Sequence, residues 1–219
     1  MITLGICNAE TASACCFKDG ELIAAASEER FSRVKMDESF PIRSIEYVLG
    51  EAGVNLTDID QVAYAWGEGF QEKLLPTYVA RAVELAEEDK AALDIFSERI
   101  RIETERDEVN KNEFKGWFDE HFPAPGQPPL ITCFHHEAHA YSACLLSPYQ
   151  RALVLTADAR GDYESLTCWL YDTASEPVIR KIYSSTSSDS LGFFYGRITG
   201  LLGFKPCRHE GKITGLAAH

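Results

Sequence analysis

The chain has 219 residues, 21 basic against 34 acidic side chains for a net charge of −13, and 45% hydrophobic residues. That balance belongs to a globular chain, and the length admits one large domain or two small ones of roughly 100–200 residues. The negative field repels phosphate backbones and anionic lipid, no basic stripe with interleaved aromatics offsets it, and no apolar run reaches the roughly 18–20 residues of a membrane span, so neither nucleic acid nor membrane is an expected partner.

Met1-Ile2-Thr3-Leu4-Gly5-Ile6 reads as a short strand without a basic leader, and the expected location is the cytoplasm. Cys7, Cys15, Cys16, Cys133, Cys144 and Cys168 sit inside apolar segments with no CxxC pair, which predicts buried, reduced thiols. Strands are expected at residues 2–7, 12–17 and 22–26, the last two joined by the hairpin turn Lys18-Asp19-Gly20. Pro41 opens a helical pattern through Ile42, Ile45, Val48 and Leu49 that stops near Gly53, and residues 62–66 follow as a buried strand.

From Glu68 to Glu120 the chain carries 15 acidic and 8 basic residues, with Leu74, Tyr78, Val79, Ala82 and Leu85 at helical spacing. This predicts a mostly solvated helical insertion, spanning about 68–128, that projects from the core. A Pro/Gly loop at 123–129 returns the chain to a strand at 130–134, then to a helix from His135 to Leu146 that Pro148 ends. A second β-rich tract follows at 152–157, 165–171 and 178–183, with a Ser-rich turn and a helix at 191–202.

The recurrence of strand, polar turn and strand resembles the duplicated β-β-β-α-β-α architecture of actin, sugar kinases and heat-shock chaperone ATPases. The expected fold class is therefore α/β of the actin-like, ribonuclease H-like (ASKHA) type with a truncated second copy. Residues 1–150 are expected to form the first subdomain with its insertion, and 151–219 the start of the second, as part of a longer protein.

Three constellations carry chemistry. His135 and His139, four residues apart, lie roughly 5–6 Å apart at Cβ on one helical face and can share a metal ion, with Asp158 after the strand 153–157 as third ligand. The same residues also suit a bland reading, as caps and hydrogen-bonding groups at the helix start and an acidic turn. His136-Glu137 fails as a zinc-protease motif, because Ala140 stands where its second histidine belongs. In the glycine-rich run, Gly192, Gly196, Gly200, Gly203 and then Glu210-Gly211-Lys212-Ile213-Thr214-Gly215, backbone N–H groups and Lys212 suit a phosphate and Glu210 a ribose hydroxyl, while close helix packing explains the first three glycines equally well. The mixed-charge loop from Glu28 to Asp37 suits either local salt bridges or a polar ligand.

Taken together, Glu28 to Pro41, His135 to Ala143, Asp158 to Asp162 and Ser190 to Ala217 resemble the carbamoyltransferase family of nodulation and antibiotic-tailoring enzymes, whose first domain is similar to the transferases of tRNA threonylcarbamoyladenosine synthesis. The motifs are EERF-x-R-x-K-x-D…FP, HH-x-x-HA-x-SA, strand-D-x-x-GD and SLG-x-x-Y-x-x-x-T-x-x-LGF…EGK-x-x-GLA. The resemblance implies that a C-terminal YrdC-like domain makes carbamoyl-adenylate from ATP and carbamoyl phosphate. The actin-like part then transfers the carbamoyl group to the hydroxyl of a small-molecule acceptor. It implies His135, His139 and Asp158 as ligands of an iron or zinc ion, with a further Asp beyond His219, and Gly192, Glu210, Gly211, Lys212 and Gly215 beside the nucleotide. It also leaves room for a homodimer.

The family's first hairpin usually reads HD-x-SA. Here Ser13 agrees, but Glu10 stands for the His and Thr11 for the Asp, so Glu10 is the expected base. An actin-like ATPase or sugar kinase, and a non-catalytic nucleotide-binding module, are the competing readings; Asn8, where the first needs a phosphate-binding Asp, argues against it. The 219-residue chain alone is expected to lack a complete catalytic cycle.

Overall fold

The computed structural model describes residues 1–9, 11–67 and 75–218. Strands β1 (Ile2–Cys7), β2 (Ser13–Lys18) and β3 (Glu21–Ser27) form an antiparallel meander. The Asp-Gly turn works as its chemistry predicts, with Asp19 and Gly20 both at positive φ. Helix α1 (Glu29–Ser32) and helix α2 (Ile42–Ala52) follow, and Gly53, at φ 65°, closes α2 with the left-handed cap that glycine adopts without a Cβ clash. The chain then returns as β4 (Gln61–Tyr64), parallel to β1.

Helices α3 (Leu75–Glu88) and α4 (Lys90–His121) lead to β5 (Leu130–Thr132), parallel to β4. The first sheet therefore runs β3-β2-β1-β4-β5, the β-β-β-α-β layout expected of an actin-like half. Its core buries Leu4, Ile6, Val62 and Tyr64 of the central strands against Ile45, Val48 and Leu49 of α2. Each such side chain contributes about 1.5–3 kcal/mol.

The insertion departs from the expectation of a mostly solvated projection. Phe114, Trp117, Phe118 and Phe122 recur at helical spacing near the end of α4 and are buried in the same core, with Tyr64 and Phe114 stacked at 3.8 Å. The charge excess masks this narrow aromatic stripe, because the other faces of a 32-residue helix hold the acidic residues.

The second tract opens with α5 (His135–Leu145), followed by the antiparallel sheet β6 (Arg151–Gly161), β7 (Glu164–Asp172) and β8 (Ile179–Thr186). Helices α6 (Leu191–Leu201) and α7 (Glu210–Leu216) complete the β-β-β-α recurrence. Ala140 and Cys144 of α5 pack on Trp169, Tyr171 and Ile179 of the sheet. The chain packs as two units, one holding the first sheet with residues 101–134, the other holding the second sheet with residues 75–100 and 135–218. All seven cysteines are free thiols, and among the described residues no helix is long and apolar enough to cross a membrane.

The charged loop after β3 is satisfied internally. Glu28, buried, accepts hydrogen bonds from the N–H groups of Arg43 and Ser44 at 3.3 and 2.9 Å and from the Ser44 hydroxyl at 2.8 Å, so its carboxylate caps α2 from a distance in sequence. Glu29 accepts from the N–H of Met36, and Asp37 from the N–H and hydroxyl of Ser39. Replacing Glu28 with Ala strands three donors, and we expect a loss of about 2–3 kcal/mol, read as a lower denaturant midpoint at unchanged slope. A variant as stable as wild type would contradict this capping role.

Candidate metal centre

The register of β6 against β7 is regular from Arg151 to Ala157 and then breaks, since Ala157 opposes Leu166 while Gly161 opposes Glu164. Four steps along β6 thus match two along β7, and the extra residues bulge. Asp158 is the first residue of that bulge. A bulge re-aims side chains that a flat strand would send to alternate faces, and its hydrogen bonds fix where Asp158 looks. One carboxylate oxygen accepts from the N–H of Ala159 at 2.7 Å, and the other lies 3.1 Å from His135 Nε2.

Helix α5 is pinned to the far end of the same bulge. The buried Asp162 carboxylate accepts from the backbone N–H of His135 at 2.6 Å, a charge-assisted cap of about 1.5–3 kcal/mol. The His135 ring lies against the Gly161 backbone so closely that a Cβ there would come within 2.1 Å of ring carbon Cδ2, which only glycine permits. Asp162 and Tyr163 then turn the chain into β7 with φ of 46° and 76°, a left-handed pair that costs about 1 kcal/mol or more per residue and needs support from its surroundings.

His136 faces the other way. Fully buried, it has Nε2 3.1 Å from the Glu164 carbonyl and Nδ1 2.7 Å from the Thr156 hydroxyl. A carbonyl only accepts, so Nε2 carries the proton and Nδ1 accepts from Thr156. Thr156 must then accept from Thr167 at 2.6 Å, and Thr167 from the indole N–H of Trp169 at 2.6 Å. This one-way chain locks the His136 tautomer and ties α5 to β6 and β7. Burial, and then the neighbouring His135, push the His136 imidazole down to about 4.

One helical turn on, His139 brings its Nε2 within 2.9 Å of His135 Nε2 and 3.6 Å of the same Asp158 oxygen. His135, His139 and Asp158 thus direct three ligand atoms at one point. His135 is 20% exposed and His139 51%, so the cluster opens to solvent on the His139 side. Burial raises the Asp158 carboxyl, but the His135 and His139 imidazoles and the Ala159 N–H outweigh it and hold the group well below the usual carboxylate range.

The spacing fits an ion. Donors about 2.1 Å from a common centre, at tetrahedral or octahedral angles, lie roughly 3.0–3.4 Å apart. The three separations here are 2.9, 3.1 and 3.6 Å. Three lone pairs at that distance repel one another unless a proton or a cation lies between them. Two imidazoles and one carboxylate suit iron or zinc and leave coordination positions for a substrate oxygen.

The other expected site residues lie in several places. Glu10 is outside the described residues, while Ser13 begins β2, opposite Cys7 and Ser27. At Gly192, α6 comes so near the bulge that a Cβ would lie 2.7 Å from Ala159 Cα, and Ser190 reaches the Asp158 carbonyl at 3.2 Å, so this glycine brings a helix start against the Asp158 backbone. Glu210 turns back to accept from the N–H of Cys207 at 2.7 Å, and the Lys212 ammonium lies 5.9 Å from the Phe204 ring. Beside Gly211 and Gly215 there is open space. Residues 158–162 stand out in sequence as a motif, but the separate duties of Gly161 and Asp162 emerge only once the bulge is seen.

Over residues 3–219 the chain matches the family described as carbamoyltransferase N-terminus. The chain belongs to the carbamoyltransferase family. It is 34% identical to the uncharacterized protein sll1178 of Synechocystis over 204 residues, covering 92% of this chain and 32% of that protein. It is 31% identical to the nodulation protein NolNO of Sinorhizobium fredii over 203 residues, covering 92% and 26%. Protein MJ1051 of Methanocaldococcus jannaschii is 30% identical over 216 residues, covering 99% and 33%. The chain therefore spans about a third or less of the length of these relatives. Among solved structures, YeaZ from Pseudomonas aeruginosa aligns with 84% of this chain and 66% of its own at 14% identity, with a TM-score of 0.43.

The depressed His136 imidazole gives a pH test on metal-free protein. Its folded-state value of about 4 lies below the ordinary 6.5, so as pH falls the unfolded chain takes up the proton first. The stability contributed by neutral His136 is complete above pH 6.5 and drains away towards pH 4, by up to about 3 kcal/mol. Denaturation at pH 7 and pH 4.5 checks this: His136→Gln should show a flatter pH dependence than wild type, and equal dependence in both would contradict it.

Proposed function

We propose that this chain is the N-terminal, acceptor-side part of an O-carbamoyltransferase that moves a carbamoyl group from carbamoyl-adenylate to the hydroxyl of a small-molecule acceptor. The observation that carries the reading is the convergence of His135, His139 and Asp158 in a chain that belongs to the carbamoyltransferase family. His135 and His139 would hold an iron or zinc ion through unprotonated Nε2 atoms, each ring keeping its proton on Nδ1, and Asp158 would add the negative charge. When bound, such an ion acts as a Lewis acid towards a phosphate or carbonyl oxygen.

The chain's own residues do the rest. Asp158, held anionic by its hydrogen bonds, keeps both imidazoles turned inward, and Asp162 and Gly161 fix the start of α5 so that His135 does not wander. Gly192, Glu210, Gly211, Lys212 and Gly215 would border the nucleotide, with the open backbone at Gly211 and Gly215 admitting close approach and Lys212 countering phosphate charge. In the transfer the acceptor oxygen bonds to the carbamoyl carbon while the bond from that carbon to the adenylate phosphate oxygen breaks, releasing AMP. Glu10 would take the hydroxyl proton, with Ser13 beside it in sequence.

On this reading the two packed units correspond to two actin-like subdomains, with α5 in the second and not, as a boundary at residue 150 would have it, in the first; a YrdC-like domain of the same protein supplies carbamoyl-adenylate from ATP and carbamoyl phosphate, and the enzyme works in the cytoplasm. A sugar kinase or actin-like ATPase reading is disfavoured by Asn8, an amide where that reading needs an Asp; it is buried and held by the Tyr64 hydroxyl at 2.7 Å, the Asn110 carbonyl at 3.0 Å and the Glu113 carboxylate at 3.3 Å.

Elemental analysis and transfer assays on the intact protein test the proposal. We expect about one iron or zinc per chain, and loss of both metal and carbamoyl transfer, by about 100-fold or more, in His135→Ala and His139→Ala. A metal-free wild type with full transfer activity would reject the mechanism. Phosphate release from ATP with a polyol, in the absence of carbamoyl phosphate, would favour the kinase instead.

A further inference from the structure

The left-handed pair Asp162-Tyr163 is the hinge on which the cluster hangs, because the Asp162 carboxylate holds the His135 N–H. What holds the pair is a side chain from the helical insertion. Tyr78, on α3, is 3% exposed, its ring packed against Phe96 and edge-on to Tyr163. Its hydroxyl donates to the Tyr163 carbonyl, and accepts from the Ser187 hydroxyl at 2.9 Å and the Ser187 N–H at 3.2 Å. A phenol has one donor and two acceptor sites, and here the second acceptor site shares the Ser187 N–H with the Tyr163 carbonyl.

The Tyr163 carbonyl in turn accepts from the Ser187 N–H at 2.8 Å as well as from Tyr78. One turn along α3, Arg81 pairs with Asp189 at 3.1 Å, and Asp189 accepts from the Thr186 hydroxyl at 2.7 Å, so the segment carrying Ser187 is itself clamped to the insertion. The contacts form an unbroken line from Tyr78 through Tyr163 and Asp162 to the His135 backbone.

We infer that Tyr78 is a positioning residue for the His135, His139 and Asp158 cluster, acting by holding the left-handed turn from which His135 is suspended. The inference rests on the metal reading proposed above, and adds to it a role for the insertion. Without the hydroxyl, the Tyr163 carbonyl loses a partner and the turn is free to relax, taking the Asp162 carboxylate away from the His135 N–H.

Tyr78→Phe keeps the ring and removes only the hydroxyl; Ser187→Ala removes one of its partners and serves if the first variant folds poorly. Val79→Ala, at a 52% exposed position on the same helix, is the control. In metal-free intact protein we expect hydrogen exchange of the peptide spanning His135 to quicken several-fold in Tyr78→Phe and Ser187→Ala and to stay unchanged in Val79→Ala. Zinc titration should show affinity weakened by about tenfold in the same two variants, with an altered visible spectrum of the cobalt-substituted protein. Wild-type exchange, affinity and spectrum in both variants, in a protein that does bind zinc, would overturn the role of Tyr78 and leave the metal reading intact. No zinc or cobalt uptake by wild type would overturn the metal reading and the positioning role with it, even if exchange quickened.

Discussion

A single hydrogen bond, from the His135 backbone N–H to the buried Asp162 carboxylate, fixes where helix α5 begins relative to the bulge in β6. Moving the helix start by one residue would rotate every side chain on it by about 100 degrees. His135 and His139 would then leave Asp158, and His136 would leave Thr156 and Glu164. Two different sets of contacts therefore depend on one register, and they reinforce each other. The exposed face gathers donors around an ion-sized gap, while the buried face runs an oriented hydrogen-bond chain from Trp169 to Glu164. Satisfied buried networks of this kind favour one geometry over its neighbours, since any slip leaves polar groups unpaired.

Much of the fold was legible in the sequence because its signals are local. Asp19-Gly20 demands a tight hairpin, Gly53 a left-handed helix end, and the Leu4 and Val62 strands are short apolar runs between turns. The pair His135 and His139 was legible for the same reason, since a spacing of four on a helix puts two rings on one face. Less visible were features that depend on distant partners. The bulge after Ala157 exists only with β7 beside it, and Asp162 caps a helix 27 residues earlier. The aromatic stripe at the end of α4 lay hidden in a segment whose charge pointed to solvent, because residue counts average over faces that a helix keeps separate.

The glycines divide along similar lines. Gly161 in the bulge and Gly192 at the start of the glycine-rich run are sites of close backbone approach around the cluster, where a Cβ would collide with His135 or Ala159. Gly211 and Gly215 have open space beside them, so packing does not account for them. Likewise the loop from Glu28 to Asp37 spends its acidic groups on hydrogen bonds to nearby backbone and to α2, with Glu28 and Asp37 buried. The parts of the chain with the strongest motifs thus do two kinds of work, some shaping the cluster and some holding the framework that presents it.

X-ray absorption at the zinc edge of the zinc-loaded intact protein tests the central claim most directly. Light donors at about 2.0–2.1 Å with the outer-shell scattering of two imidazole rings are expected. A shell of sulfur at about 2.3 Å, or oxygen alone without imidazole scattering, would mean that the ion sits elsewhere and that the convergence of His135, His139 and Asp158 has another purpose.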